Sequence, residues 1–216
     1  MKHFVQSTIF LVASAIILFI VVGRTEIDEN AVTLKEAIYI AEMDAHAWQP
    51  DAKVAQIIST DAGDILNEKN GNDGKRRCWN ILFAGDSEEK QYSVFVINGK
   101  TAYNQEVQMP TYATIELDKD VCIDSTDAVN IAKKYGVKPV PESDGWAVGY
   151  HFALQYLRDI ETRKPLLAMM VYGVTDNGNF CYIAIDPKSR NVVSYMEKIG
   201  YSSTGRSVWE ERLENK

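Results

Sequence analysis

The sequence predicts an α+β protein: two repeats of one helix packed on a four-stranded antiparallel sheet, preceded by an N-terminal transmembrane or signal helix. Three observations carry that prediction. "TLKEAIYIA" at 33–41 returns as "DSTDAVNIA" at 124–132, with the N-cap residue, an acid three positions on, and Ala, Ile and Ala at the same offsets. Each helix motif is followed by four short β-rich segments separated by turn residues. Ahead of both, residues 4–22 carry no charge.

Composition bounds the rest. In 216 residues, 46% are hydrophobic and 25% charged, so the body can build a core and is not disordered by composition. The formal charge is -7 and no basic patch with interleaved aromatics occurs, which argues against nucleic acid as a partner. The acidity reads as a soluble, self-repelling surface.

The N-terminal run of 4–22 would span roughly 28 Å as a helix, close to a bilayer core of about 30 Å. A buried core helix of that length rarely lacks a polar face. Residues 1–23 therefore read as a signal peptide or a single anchor. Cleavage after Gly23 suits small Val21 and Gly23, and "ASA" at 13–15 fits the small-residue rule better but would leave "IILFIVV" exposed. An uncleaved anchor is favoured; a cleaved one would give a secreted protein. Lys2 on one side, and Glu26, Asp28 and Glu29 after Arg24 on the other, place the body outside the cytoplasm.

Residues 24–30 form an acidic linker, and the first unit covers 31–110. Its helix opens on a Thr33/Glu36 capping box, with Leu34, Ala37, Ile38, Ala41, Ala45 and Trp48 at helical spacing and Pro50 as the stop. Strands are expected at 54–60, 78–84, 92–98 and 101–107, the last pair joined by a tight turn at Gly99 and Lys100. Residues 61–77 read as a loop rich in Asn, Asp and Gly.

The second unit covers 111–199. Its helix starts at Asp124, turns Ala128, Val129, Ile131 and Ala132 inward, and closes on Gly136. A strand at 146–157, with Gly149 at a bulge, puts Trp146, Val148, Tyr150, Phe152 and Leu154 toward the helix. Ala147, Gly149, His151, Ala153 and Gln155 fall on the other side, free to be solvated or to bind. Strands follow at 166–174, 180–186 and 192–196. In the tail, 200–216, Ser207 and Glu210 form a capping-box pattern and Trp209 and Leu213 stand four apart. A short helix is expected there, docking Trp209 on its own domain or capturing another protein.

The two helix motifs and the hairpin "IDPKSRNVVSY" at 185–195 resemble the PepSY group, named for peptidase propeptides and a spore-germination protein. The resemblance spans 31–197 as two copies. Arg190 stands where the family often has Gly, the first copy shortens the turn to "INGKTAY", and it carries an insertion at 64–75. The resemblance implies an extracytoplasmic, often membrane-tethered module that binds or restrains a hydrolase. Proteins that inhibit β-lactamases have a related architecture. Neither group has catalytic residues to carry over.

The residues themselves offer little chemistry. His3 flanks the apolar segment. His46 and Asp44 are two apart on a helix and diverge by about 200°, so they cannot share an ion. The loop around "NEKNGNDGK" misses the calcium-loop pattern at two ligands, Gly71 and Lys69. Cys78, Cys122 and Cys181 lack C-x-x-C spacing and read as small buried hydrophobes, with one bridge such as Cys78 to Cys122 left open. No nucleotide-loop, nucleophile-elbow or zinc-protease motif is present. The expectation is a non-enzymatic bacterial-envelope binding module with no catalytic, cofactor or metal residues. It would restrain, fold or position a hydrolase or peptidase, or else serve as the outer structural or sensory domain of a membrane complex. His151, Gln155 and Trp209 are its candidate partner contacts.

Overall fold

The computed structural model describes residues 30–60, 71–86, 89–110, 113–142, 148–158 and 164–213. The expected membrane segment at 4–22, His3, Trp146 and residues 67–70 of the calcium-like loop lie outside these residues. Among the described residues, no helix is long and apolar enough to cross a membrane.

The elements follow in the order α1 (Leu34–Trp48), β1 (Lys53–Ser59), β2 (Cys78–Ala84), β3 (Lys90–Ile97), β4 (Lys100–Gln108), α2 (Leu117–Asp120), α3 (Ser125–Lys134), β5 (His151–Arg158), β6 (Pro165–Val174), β7 (Phe180–Ile185), β8 (Val192–Tyr201) and β9 (Ser207–Glu211). Both helices start on the capping boxes read from the sequence. Thr33 accepts from Glu36 N and Glu36 accepts from Thr33 N; Asp124 and Asp127 do the same for α3. At the far end of α3 Gly136 takes φ +81, so Val137 N reaches Ala132 O and Gly136 N reaches Lys133 O, both at 3.1 Å. That pair of bonds is a Schellman motif, and it needs a residue that tolerates the left-handed region.

The strands do not form two separate four-stranded sheets. They form one antiparallel sheet of nine strands, in the order β4-β3-β2-β1-β5-β6-β7-β8-β9. The join is β1 against β5, where Ile57 faces Leu154 and Ile58 faces Ala153. An exposed apolar edge is a liability, and pairing the two edges satisfies their backbone groups and hides apolar side chains on both faces. The expected arrangement of one helix on its own sheet, twice, is thereby overturned.

A single core confirms the merger. Leu34, Ala37, Ile38 and Ala41 of α1 belong to one buried cluster with Ala128, Val129 and Ala132 of α3. Trp79, fully buried, stacks on Phe152 across the join at 6.1 Å and donates its Nε1–H to Val32 O and Arg76 O, both at 3.1 Å. Both helices thus cover the same face. A smaller cluster forms on the other face from Ala153, Ala168, Met170, Tyr182, Ala184 and Met196.

Two further expectations change. The strand foreseen at 146–157 begins only at His151, because Gly149, at φ +86, bridges Val140 instead. The tail is no helix: Ser207–Glu211 pairs along β8 as β9, with Lys198 opposite Trp209. The open β8 edge offers backbone partners that an isolated one-turn helix would lack.

Candidate functional site

The three residues singled out from the sequence lie apart and differ in character. His151 is half-buried rather than exposed. Its Nδ1 sits 3.3 Å from Ser59 Oγ, and its Nε2 3.3 Å from Nη2 of Arg76, itself 1% exposed. A guanidinium has no acceptor, so Nε2 must accept and the ring proton belongs on Nδ1, facing the serine. Ser59 Oγ also accepts the Phe152 amide at 2.8 Å. The serine is therefore an acceptor holding strand ends together, and the imidazole is not placed to take its proton. Arg76 also donates to Val148 O at 3.0 Å. This trio ties the end of β5 to β1 and the segment before β2.

Gln155 is turned inward too. Its side chain bonds Gln56 across the β1–β5 join and reaches Met170 Sδ at 3.3 Å. His46 is exposed at the end of α1, apart from any ligand set. Among the described residues no group of three His, Cys, Asp or Glu side chains is placed to hold a metal ion. None of the three cysteines is disulfide-bonded: Cys78 and Cys181 are buried and Cys122 is exposed.

Trp209 lies in a more organised place. β9 crosses the β8 edge and grips the sheet on both faces. On the face away from the helices, the Trp209 ring packs on Tyr182 at 5.3 Å and edge-on to Phe180 at 6.1 Å. On the helix-bearing face, Arg212 Nε lies 2.7 Å from Glu197 Oε2, close but off the hydrogen-bond direction. Glu197 is 2% exposed, and its other oxygen takes Asn179 Nδ2 at 2.7 Å and Thr175 Oγ1 at 3.3 Å. Between the anchors, Glu211 accepts from Tyr195 N at 2.8 Å and Ser194 Oγ at 2.9 Å, and Arg212 N donates to Tyr195 O at 2.7 Å.

Glu197 and Arg212 form the floor and rim of a cleft of about 740 Å³ that also takes in Tyr135, Tyr195 and Glu210. Burial dominates the chemistry beneath it. It pushes the Cys181 thiol up to about 12, with the Tyr195 hydroxyl partly offsetting the effect. Burial, and then the neighbouring Cys181, also raise Tyr195 to about 12. Neither group is a nucleophile or base near neutral pH. Glu197 and Arg212 belong to no motif in the sequence. The available signal was the charge at Glu197 in "VVSYMEKIGY", two residues after Tyr195 and so on its face of the strand.

The outer surface carries several exposed large apolar side chains. Tyr39 and Met43, one turn apart on α1, are 76% and 79% exposed. Tyr103 on β4 and Ile199 and Tyr201 on β8 are also exposed.

No protein-family profile matches the chain, and no curated protein matches it. Among solved structures, a crystal structure described as "a putative lipoprotein" from Clostridium difficile 630 is similar at 13% identity and a TM-score of 0.49, covering 81% of this chain and 97% of that one.

Proposed function

We propose that the protein is a non-enzymatic, extracytoplasmic binding module that restrains or positions an envelope hydrolase or peptidase. The observation that carries the reading is the exposed pair Tyr39 and Met43. They stand on the outward side of α1 while Leu34, Ala37, Ile38, Ala41 and Ala45 complete its core-facing stripe. Such side chains add nothing to the core and supply the aromatic and thioether contacts enriched at protein interfaces. The location follows from the uncharged stretch at 4–22 and the acidic residues after it. The two capping-box helix motifs support the PepSY-like part of the reading.

Affinity capture with the tagged full chain, cross-linked in envelope extract of the source organism, tests this. The expected result is one hydrolase in near-equal amount, whose activity falls on titration with the chain and recovers with Tyr39→Glu/Met43→Glu. Recovery of membrane-complex subunits alone, with no hydrolase affected, would instead leave an outer structural or sensory domain.

A further inference from the structure

The groove under β9 is built like a peptide-binding site, and we propose that β9 is its resident ligand: a strap that fills in cis a site able to take an extended segment of a protein partner. The ligand class is read from the occupant. It is an extended strand with an aromatic residue, followed just past its end by an arginine three positions on.

The strap is held by a few anchors and is otherwise open to solvent. Ser207, Glu210 and Glu211 are exposed, and Val208 and Trp209 only half-buried. Its pairing with β8 is interrupted by a bulge between Lys198 and Gly200. The connection, a turn closed by Ser202 N to Arg206 O at 2.7 Å, runs through exposed residues 203–206. Apart from a contact of Arg212 with Glu210 at 3.6 Å inside the strap, the anchors touch the sheet body. Tyr182 and Phe180 come from β7, while Glu197 lies on β8 and is preset by Thr175 and Asn179.

Removal of β9 would leave three complementary features in register: the β8 backbone edge, an aromatic seat on one face, and the Glu197 carboxylate, preset by Thr175 and Asn179, on the other. That combination is the strand-addition mode, in which main-chain bonds give affinity and alternate side chains give specificity. An arginine suits the carboxylate, since charge-assisted contacts are the stronger ones. The inference deepens the binding-module reading by naming how a partner segment would be held. It does not depend on the partner being a hydrolase.

The test uses the full chain and a fluorescent peptide of residues 206–213 as probe. Trp209→Ala/Arg212→Ala loosens the strap, and this variant is expected to bind the peptide saturably, at least about tenfold more tightly than the unaltered chain does. Adding Glu197→Gln should weaken that binding about tenfold, the size of one lost charge-assisted contact. Equal binding to both chains, or no binding to a variant whose circular dichroism is unchanged, overturns the proposal. Hydrogen exchange on the unaltered chain decides it even if the variant misfolds. Amides of β9 should exchange at least about tenfold faster than those of β7; equal protection would make β9 an integral strand and end the idea. A hydrolase capture that fails while the peptide binds would sink the hydrolase reading and leave the groove.

Discussion

The Leu34 backbone N–H donates to Ser125 Oγ at 3.0 Å, so the first helix is capped in part by the second. Next to it, Lys35 N donates to Asp124 Oδ1 at 3.1 Å, the same oxygen that accepts from Ser125 N at 2.7 Å. Lys35 Nζ completes the junction on Val121 O at 2.8 Å. Two helix N-termini, each a positive dipole end, meet here, and the Asp124 carboxylate answers both. The two motifs that look alike in the sequence touch in the structure.

Ser125 is fully buried, so Ser125→Ala would strand the Leu34 amide without an acceptor. The expected cost is about 1–3 kcal/mol. Asp124→Ala should cost about 1–2 kcal/mol through lost capping of both helices. Urea titration followed by far-ultraviolet circular dichroism measures both; values within experimental error of the unaltered chain would mean the junction contributes nothing.

Gly136→Ala tests the stop of α3. No atom lies within 4 Å of an added Cβ, so any loss comes from the backbone at φ +81 rather than from a clash. About 1 kcal/mol of destabilisation is expected. Gly74→Ala should cost more, because its Cβ would sit 2.5 Å from Thr126 backbone atoms as well as at φ +81.

Alkaline pH should destabilise the fold. Burial raises Cys181 from 9.0 to about 12 and Tyr195 from 10.0 to about 12, and it raises Tyr172 also. In each case the folded state holds its proton more tightly than the unfolded chain. Their contribution is fully present below about pH 9 and is lost as the pH climbs toward 12. Urea midpoints measured at pH 8, 10 and 11 should fall in that order; a flat or rising series would contradict the burial of these groups.

Thiol accessibility gives an independent reading of the same core. Native protein at pH 8 should take one alkyl group from iodoacetamide, on exposed Cys122, and three after unfolding, as Cys78 and Cys181 emerge. Peptide mapping identifies the sites. Rapid native labelling of Cys181 would mean the helix-bearing face of β7 is open.

Local structure was legible because it is written locally. Thr33 with Glu36, Asp124 with Asp127, and Gly136 announce helix ends through backbone chemistry that each short segment satisfies by itself. The alternation of Tyr150, Phe152 and Leu154 likewise placed the core face of β5. What joins segments was not legible. Nothing in "VAQIIST" says that Ile57 will face Leu154, since edge pairing depends on two strands far apart in the chain. Alternation turns His151 and Gln155 outward because it gives a face but not what covers it; Arg76, Ser59 and Gln56 do so. Trp209 misled in the opposite way. Its spacing to Leu213 suits a helix, yet a five-residue strand on the β8 edge gains a ladder of backbone bonds.

The most direct test of the account is whether the chain unfolds as one body. Native-state hydrogen exchange, read by mass spectrometry across a urea series, would follow peptides from β2 and β3 beside peptides from β6 and β7. One sheet, one core and a shared helix junction predict that the slowest amides of both sets open together, with the same free energy and urea dependence. Two distinct openings, one for the α1 side and one for the α3 side, would contradict the continuous sheet and restore two independent units.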